Sequence, residues 1–174
     1  MNFCRRCGKP LEQVKGHVYK CEDGHVIYGN STPCTAIFVV RQDGKVWLSI
    51  RGIEPHKGAL DSFGGFNDGP ETFEDTANRE LQEETGLTLD DYEPLQYFCS
   101  TTDNYPYKGE EIPYVCTYWL ARLKTDKPLV PSSDVAEIKL YDVDEVDIRL
   151  LHDGATREGF LKLRDIINQE RGKS

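Results

Sequence analysis

The chain has 174 residues, of which 38% are hydrophobic and 29% are charged, as in an ordinary globular protein. This length suits one domain with a small additional module. The formal net charge of −9 argues against nonspecific nucleic-acid binding, which needs a basic surface. No apolar run reaches the roughly 18–20 residues that span a bilayer, and the N-terminus lacks an apolar signal segment. The sequence therefore predicts a cytoplasmic protein without a membrane partner.

The first 30 residues contain cysteine and histidine at close spacing. Cys4 and Cys7 form a C-x2-C pair, and Cys21 and His25 follow as a second pair. Four ligands of this kind suit tetrahedral Zn2+, and in a chain without a secretion signal they favour a metal over disulfides. A segment this short also needs a metal to stabilise its fold. We therefore predict a module with a structural zinc site at residues 1–30.

The fourth ligand of this zinc site is left open by the spacing. Gly24 stands where a second C-x2-C pair beginning at Cys21 would place its last cysteine. His25 follows one position later, and Cys34 and His17 are the rival ligands. We favour His25 because of its distance from Cys21 along the chain. The alternative is a module that has lost its metal.

The rest of the chain predicts alternating strands and helices. A continuous apolar run at residues 35–40 indicates a strand that is buried on both faces, and a turn at residues 42–44 leads to a second strand at 46–50. Further strands are predicted at 95–101, 113–123 and 138–141. A turn-rich loop is predicted at 103–109, and an amphipathic helix at 153–168.

The segment 64–87 carries the strongest functional signal. Thr72 is placed to cap a helix, and Gly86 is placed to end it. Carboxylates three and four positions apart share one face of such a helix, about 5–6 Å from each other. The helix has three of them: Glu80, Glu83 and Glu84. A hard divalent cation such as Mg2+ would turn their repulsion into attraction; the alternative is a solvated acidic face.

This segment resembles the Nudix box, G-x5-E-x7-R-E-U-x-E-E-x-G-U, where U is a bulky aliphatic residue. The fixed positions are filled by Gly65, Glu71, Arg79, Glu80, Leu81, Glu83, Glu84, Gly86 and Leu87. A match at nine positions over 23 residues is highly specific. The resemblance implies an α/β fold over residues 31–174, the Nudix α/β/α sandwich with a mixed sheet. It also implies hydrolysis of a nucleoside diphosphate that is linked to another group.

The resemblance implies a metal centre for this reaction. Glu80, Glu83 and Glu84 would bind Mg2+ or Mn2+, and the carbonyl of Gly64 would be a further ligand. Soft ligands at the N-terminal zinc site and hard oxygen ligands at the box would then hold two different metals.

The resemblance also implies catalytic roles around the metal. Glu83 or Glu80 would accept a proton from the attacking water, with Glu137 as a further candidate. Arg79 would orient Glu80, whereas Glu71 would bond the loop rather than the metal. Each single assignment is open, because metal binding and proton transfer can be shared among glutamates.

The N-terminal module bears on the choice of substrate. It resembles the zinc ribbon that precedes the Nudix domain in the NADH pyrophosphatase group. That resemblance favours NADH or NAD-capped RNA. However, the group carries S-Q-P-W-P-F-P-x-S after the box, and segment 99–116 contains nothing similar. We therefore favour ADP-ribose or a similar sugar nucleotide, with NADH next. The expected partner is a small-molecule nucleotide, and the family allows a homodimer.

Several other side chains are candidates with equally good structural explanations. Arg51 could bind a phosphate at the edge of the sheet; the alternative is an exposed arginine at the end of a strand. Tyr105 or Tyr107 is placed to stack on a nucleobase, or packs within a loop. Asp134 precedes Glu137 in an acidic approach to a strand. Two other function classes stay open: a non-catalytic nucleotide sensor, and an adaptor that binds through the ribbon.

Overall fold

The structure is a computed structural model that describes residues 2–172. Met1 of the predicted zinc module and residues 173–174 of the predicted Nudix domain lie outside the described residues. The chain forms two compact units, with the boundary between Ser31 and Thr32. Within the described range, no helix is long and apolar enough to cross a membrane.

The first unit is a small antiparallel sheet next to a cluster of cysteines. Its strands, in spatial order, are β1 (Glu12–Lys15), β2 (Val18–Lys20) and β3 (Val26–Tyr28). The buried core consists of Cys4, Cys21 and Ile27. A core of this size is too small to stabilise a fold on its own, so the unit needs another link between its segments.

The second unit is a mixed sheet between two helices, as the sequence predicts. Its strands are β4 (Thr32–Val40), β5 (Val46–Arg51), β6 (Leu60–Asp61), β7 (Gln96–Tyr107), β8 (Glu110–Arg122) and β9 (Val135–Tyr141). The helices are α1 (Phe73–Thr85) and α2 (Gly154–Glu170), and a 3-10 turn spans Ile148–Leu150. The strand order is β6-β5-β4-β8-β7, with β9 beside β5. β4 and β8 are parallel, and the other pairs are antiparallel.

The central strand β4 separates two apolar cores because both of its faces are apolar. Phe38 belongs to the core that includes α2, and its ring lies 5.7 Å from that of Phe160. Ile37 and Val39 belong to the core that includes Leu81 of α1. A strand buried on both faces reads as a continuous apolar run rather than an alternating one, which is why its sequence is diagnostic.

The prediction of a loop at residues 103–109 is wrong. β7 continues to Tyr107, and only Lys108 and Gly109 separate it from β8, with φ of 49° and 84°. Two positive φ values are typical of the tight hairpin turn whose twist matches the strands. Pro106 is tolerated because β7 lies at the edge of the sheet, where proline removes no required hydrogen bond.

Candidate active site

A cavity of about 290 Å³ opens in the second unit, where α1 approaches the sheet. Glu80 and Glu84 of α1 contribute to its wall, together with Gly64, Gly65 and Asp134. We call this cavity the cleft. It brings the predicted carboxylates together with parts of the chain that lie far from them in sequence.

The two glycines at the start of the box lie where no larger residue fits. Gly64 has φ of 135°, and a Cβ on it would lie 2.2 Å from the carbonyl oxygen of Thr35. A Cβ on Gly65 would lie 2.5 Å from Oε1 of Glu80. The Thr35 N–H donates to the carbonyl of Gly65 at 2.9 Å, so the loop is bound directly to β4. Glycine here permits close approach of backbone to backbone and of backbone to carboxylate.

Helix α1 begins and ends where the sequence predicts. The Thr72 hydroxyl accepts the Asp75 N–H at 3.1 Å, and the Asp75 carboxylate accepts the Thr72 N–H at 3.2 Å, which is a reciprocal capping arrangement. Gly86 ends the helix with φ of 71° and bonds to the Gln82 carbonyl. Leu81 is fully buried in the core, and Glu80 and Glu84 line the cleft.

Glu84 is the most deeply buried of the three glutamates, with 8% of its surface exposed. Its Oε2 accepts the Gly64 N–H at 2.9 Å. Burial raises the pKa of its carboxyl well above the ordinary value, and the charges of Glu80, Asp61 and Asp134 raise it further. Glu84 therefore lies within electrostatic range of three other carboxylates of the cleft. Such a set of oxygen atoms fits a hard divalent cation, which would relieve the repulsion.

Arg79 connects the box loop to the acidic face of α1. Its guanidinium donates to both carboxylate oxygens of Glu71, at 2.8 and 3.1 Å. It also donates to Glu80 at 2.7 Å, to Glu83 at 3.2 Å and to the carbonyl of Phe66 at 3.3 Å. A planar guanidinium can serve this many acceptors in fixed directions, so Arg79 sets the orientation of its glutamate partners.

Glu71 is saturated by bonds within the loop. Besides Arg79, it accepts the Asp68 N–H at 3.0 Å and the Thr76 hydroxyl at 2.9 Å. The hydrogen bond from Arg79, followed by that from Asp68, lowers the pKa of Glu71 to about 2. Its lone pairs are thus committed to the loop.

Glu80 and Glu83 differ in their surroundings although both contact Arg79. Glu80 has 13% of its side chain exposed, and burial raises the pKa of its carboxyl. Glu83 has 51% of its side chain exposed. Glu80 lines the cleft, whereas Glu83 is not among the lining residues. The structure thus brings two of the three predicted glutamates into the cleft.

Glu137 lies outside the cleft. Its carboxylate is 3.0 Å from the Lys139 ammonium and its side chain is 56% exposed. Asp134, the second acid considered in this segment, does line the cleft. Its main chain is bound to the loop after β5, since the Gly52 N–H donates to the Asp134 carbonyl at 2.7 Å.

Three aromatic side chains also line the cleft, and we call them the aromatic wall. It is formed by Phe66, Tyr105 and Tyr114, with Phe66 edge-on to the other two rings at 5.5 and 6.3 Å. Tyr107 is exposed and carries the Lys108 ammonium 4.9 Å from its ring centre. Of the two tyrosines considered from the sequence, Tyr105 is therefore the one in the cleft.

Sequence reasoning missed three charged residues of the cleft, namely Asp61, His152 and Asp153. His152 lies between the two carboxylates, and Asp61 also binds Arg51. Burial lowers the pKa of His152, but Asp153 and Asp61 overcome this and raise it to about 9. The only signal was the position of Asp153 at the cap of the predicted C-terminal helix, which by itself indicates structure.

The NUDIX domain family model matches residues 31–162 of the chain. The chain belongs to the NUDIX family. Human NAD(P)H pyrophosphatase NUDT13, mitochondrial, is 33% identical over 115 residues, which are 66% of this chain and 31% of that protein. NAD-capped RNA hydrolase NudC of Pasteurella multocida (strain Pm70) is 32% identical over 109 residues, or 60% of this chain and 39% of that protein. The chain thus spans about a third of the length of these curated relatives.

A solved structure has a similar fold. The crystal structure of a NUDIX hydrolase from Nitrosomonas europaea matches with a TM-score of 0.70 and 20% sequence identity. The match covers 99% of this chain and 93% of that one. At this identity the likeness shows the shared Nudix fold.

The N-terminal unit of this Nudix protein holds a group of four candidate metal ligands, Cys4, Cys7, Cys21 and His25. One ligand atom from each lies within 4.8 Å of all the others. The Cys4 sulfur is 3.7 Å from Nδ1 of His25, and the Cys7 and Cys21 sulfurs are 3.8 Å apart. Burial disfavours the Cys4 thiolate, yet backbone N–H groups of the turn after it lower its pKa to about 6. Three sulfurs and one imidazole at this spacing fit tetrahedral zinc.

The two rival ligands lie elsewhere. Cys34 is buried in β4 of the Nudix domain, where its Cα partner on β8 is Cys116. His17 is exposed at the turn between β1 and β2. The structure therefore groups His25, rather than either rival, with the three cysteines.

The close contact at Gly64 leads to a stability prediction for the Nudix domain. Gly64→Ala is expected to lower the free energy of unfolding by about 3 kcal/mol, because it combines backbone strain with a steric clash against Thr35. Urea unfolding measures this loss. Gly58→Ala is the control, since Gly58 has φ of 86° but open space around it; strain alone should cost only about 1 kcal/mol there. Equal losses in the two variants would contradict the role of the clash.

Proposed function

We propose that the Nudix domain hydrolyses the diphosphate linkage of a nucleoside diphosphate derivative and that Mg2+ or Mn2+ is required. The observation that carries this proposal is the buried carboxylate of Glu84, which shares the cleft with Glu80, Asp61 and Asp134. Concentrating negative charge in this way is unfavourable for folding. Bound cations, together with the phosphates of the substrate, would compensate this charge.

The bound cation would neutralise charge on the phosphates and lower the pKa of a water molecule. The protein side chains would supply position and proton transfer. Gly64 fixes Glu84 through its N–H, and Arg79 fixes Glu80. We propose Glu80, Glu83 and Glu84 as metal ligands, together with the carbonyl of Gly64.

The reaction adds water to one phosphorus while the bond from that phosphorus to the bridging oxygen breaks. Two monophosphates result, and a proton from the attacking water passes to a carboxylate. We propose Glu83 or Glu80 as the acceptor. Glu80 is already held in one orientation by Arg79, and burial raises the pKa of its carboxyl, which makes it a stronger proton acceptor. Glu137 would need to move from its present position to contribute.

The substrate is proposed to contain an ADP-like half joined to a second group. We favour ADP-ribose or a similar sugar nucleotide because the strand after the box lacks the NADH pyrophosphatase motif. NADH comes next, and it is favoured by the name of the human relative, an NAD(P)H pyrophosphatase; the bacterial relative is named for NAD-capped RNA. The aromatic wall of Phe66, Tyr105 and Tyr114 offers edges and faces against which a base can pack. We also propose, from the sequence, that the protein is located in the cytoplasm and that it forms a homodimer.

A substrate panel tests the proposal. NADH, ADP-ribose, diadenosine polyphosphates and nucleoside triphosphates are incubated with Mg2+ and either wild type or Glu83→Gln. We expect release of a nucleoside monophosphate from one compound by wild type only. Saturable binding of one compound without turnover of any would instead favour the nucleotide sensor. Binding of a partner by the ribbon, with no nucleotide bound, would favour the adaptor.

A further inference from the structure

A row of alternating charges runs along one wall of the cleft. Asp153 Oδ2 lies 2.8 Å from Nε2 of His152, whose Nδ1 lies 3.2 Å from Oδ1 of Asp61. Oδ2 of Asp61 accepts a hydrogen bond of 2.8 Å from Nη1 of Arg51. All four side chains line the cleft, and none is more than 16% exposed. The row connects three segments that are distant in the sequence.

The imidazole of His152 is the link between the two carboxylates. Nε2 faces Asp153, whereas Nδ1 lies 3.2 Å from Oδ1 of Asp61 and 3.1 Å from the Thr156 hydroxyl. Only the imidazolium ion carries an N–H on both nitrogens. Asp153 and Asp61 hold its pKa at about 9 against the effect of burial, so the imidazolium persists at neutral pH. Buried carboxylates require such a partner, and here one cation serves two of them.

Strand β6 depends on this link because it has only two residues, Leu60 and Asp61. Its backbone pairs with β5 on one side. On the other side the His152 N–H donates to the Leu60 carbonyl at 2.9 Å, and Leu151 forms a parallel bridge with Leu60. Residue 152 therefore binds β6 through both its main chain and its side chain.

Arg51 is the end of the row that can meet a ligand. Its Nε donates to the Pro55 carbonyl at 2.9 Å, and its Nη1 donates to Asp61. These bonds use two of the five N–H groups of a guanidinium. They fix its plane in the cleft wall, beside Tyr105. A fixed guanidinium with donors to spare suits paired hydrogen bonds to phosphate oxygens.

We propose that His152 is a positioning residue for substrate binding: it fixes Asp61, and Asp61 fixes Arg51 as the contact for the anionic diphosphate of the substrate. This inference rests on the proposed function, which places a diphosphate in the cleft. His152 acts through its neighbours, so its removal weakens binding without removing any group from the reaction.

His152→Gln is expected to raise KM about tenfold and to change kcat less than about threefold, because the lost contact serves substrate and transition state alike. Arg51→Gln should give the same result, and the double variant should show no further loss because both changes remove one contact. His56→Gln is the matched control. Its ring lies 5.5 Å from that of His152 but is exposed, and its kinetics should equal those of wild type.

Steady-state kinetics on the hydrolysed member of the panel make this comparison, with circular dichroism to verify folding. Additive losses in the double variant, or a loss confined to kcat, would overturn the proposal. If no member is hydrolysed, the proposed function fails, and binding of inorganic pyrophosphate with Mg2+ tests His152 separately by calorimetry. About tenfold weaker binding by His152→Gln than by His56→Gln supports the positioning role, and equal binding overturns it.

The pH dependence of KM in wild type tests the proposal even if His152→Gln does not fold. The charged and titratable groups around His152 are Asp61 and Asp153, which pair with it, and His56, whose ring lies 5.5 Å away. Behind the two carboxylates lie Arg51, which pairs with Asp61, and Tyr114, whose hydroxyl donates to Asp153. KM is expected to rise as the pH passes about 9, where the imidazolium loses its proton. Arg51→Gln should abolish this rise. A KM that stays constant to about pH 10 in wild type would overturn the proposal.

Discussion

Glu84→Gln is expected to lower kcat about a thousandfold, the size of effect seen when one preorganised charge-stabilising group is removed from an active site. The same substitution is expected to make the protein without divalent cation at least as stable as wild type at neutral pH. Opposite signs in the two readouts follow from the position of Glu84, which is buried among other carboxylates.

The sign of the stability effect follows from the raised pKa of Glu84. Burial favours the protonated carboxyl in the folded protein. This stabilisation is therefore present at low pH and is lost as the pH rises through the raised pKa. Glutamine has no charge to lose and keeps an oxygen that can accept the Gly64 N–H. Wild type should thus lose stability relative to the variant as the pH rises above 4.5, the ordinary value.

Urea unfolding at several pH values, with and without Mg2+, measures this effect beside kcat. Mg2+ should stabilise wild type, because a ligand that binds the native state adds to its stability, and should have little effect on Glu84→Gln. The control is Glu74→Gln, an exposed carboxylate in the first turn of the same helix. An equal Mg2+ effect on Glu84→Gln and wild type would show that Glu84 does not contact the cation.

His25→Ala is expected to lower the zinc affinity of the N-terminal unit at least about a hundredfold, since changes in residues that merely support zinc ligands already cost about 10–100-fold. Wild type should hold one zinc ion per chain at the group of Cys4, Cys7, Cys21 and His25. Loss of the ion should also unfold this unit, because its apolar core is small and metal binding supplies folding free energy.

Competition with a chromophoric chelator measures the zinc affinity, and hydrogen exchange of residues 2–31 reports the folding of the unit. His17→Ala is the control, because His17 was the rival histidine ligand and lies exposed at the β1–β2 turn. It should retain zinc with the affinity of wild type. Equal zinc loss from both variants, or no zinc in wild type, would contradict the proposed site.

The parts of the fold that were predictable from the sequence have local causes. β4 is a continuous apolar run because it is buried on both faces. The ends of α1 are marked in the sequence by the capping residues Thr72 and Gly86. The hairpin at residues 103–109 was missed because its proline and glycine are typical of loops. Gly109 lies in the turn itself, whereas Pro106 is compatible with β7 because this strand lies at the edge of the sheet.

The part of the cleft that was best predicted consists of residues that are neighbours in the sequence. The spacing of the box glutamates indicates a shared helix face, and this spacing together with the resemblance to the Nudix box led to a metal. Asp61 and His152 are separated by 90 residues and meet because β6 pairs with the segment before α2. A lone aspartate and a lone histidine give no periodic signal, so their ion pair becomes visible only in the folded chain.

His152 and Asp153, at the start of α2, line the cleft but lie outside the Nudix box. A gene shortened just after β9 would encode every residue of the Nudix box, and a sequence search would still recognise it. Its product would lack the segment that binds β6 at Leu60 and Asp61. For fragments and pseudogenes of this protein, an intact box is therefore insufficient evidence of a complete cleft, and the residues at the start of α2 need to be present as well.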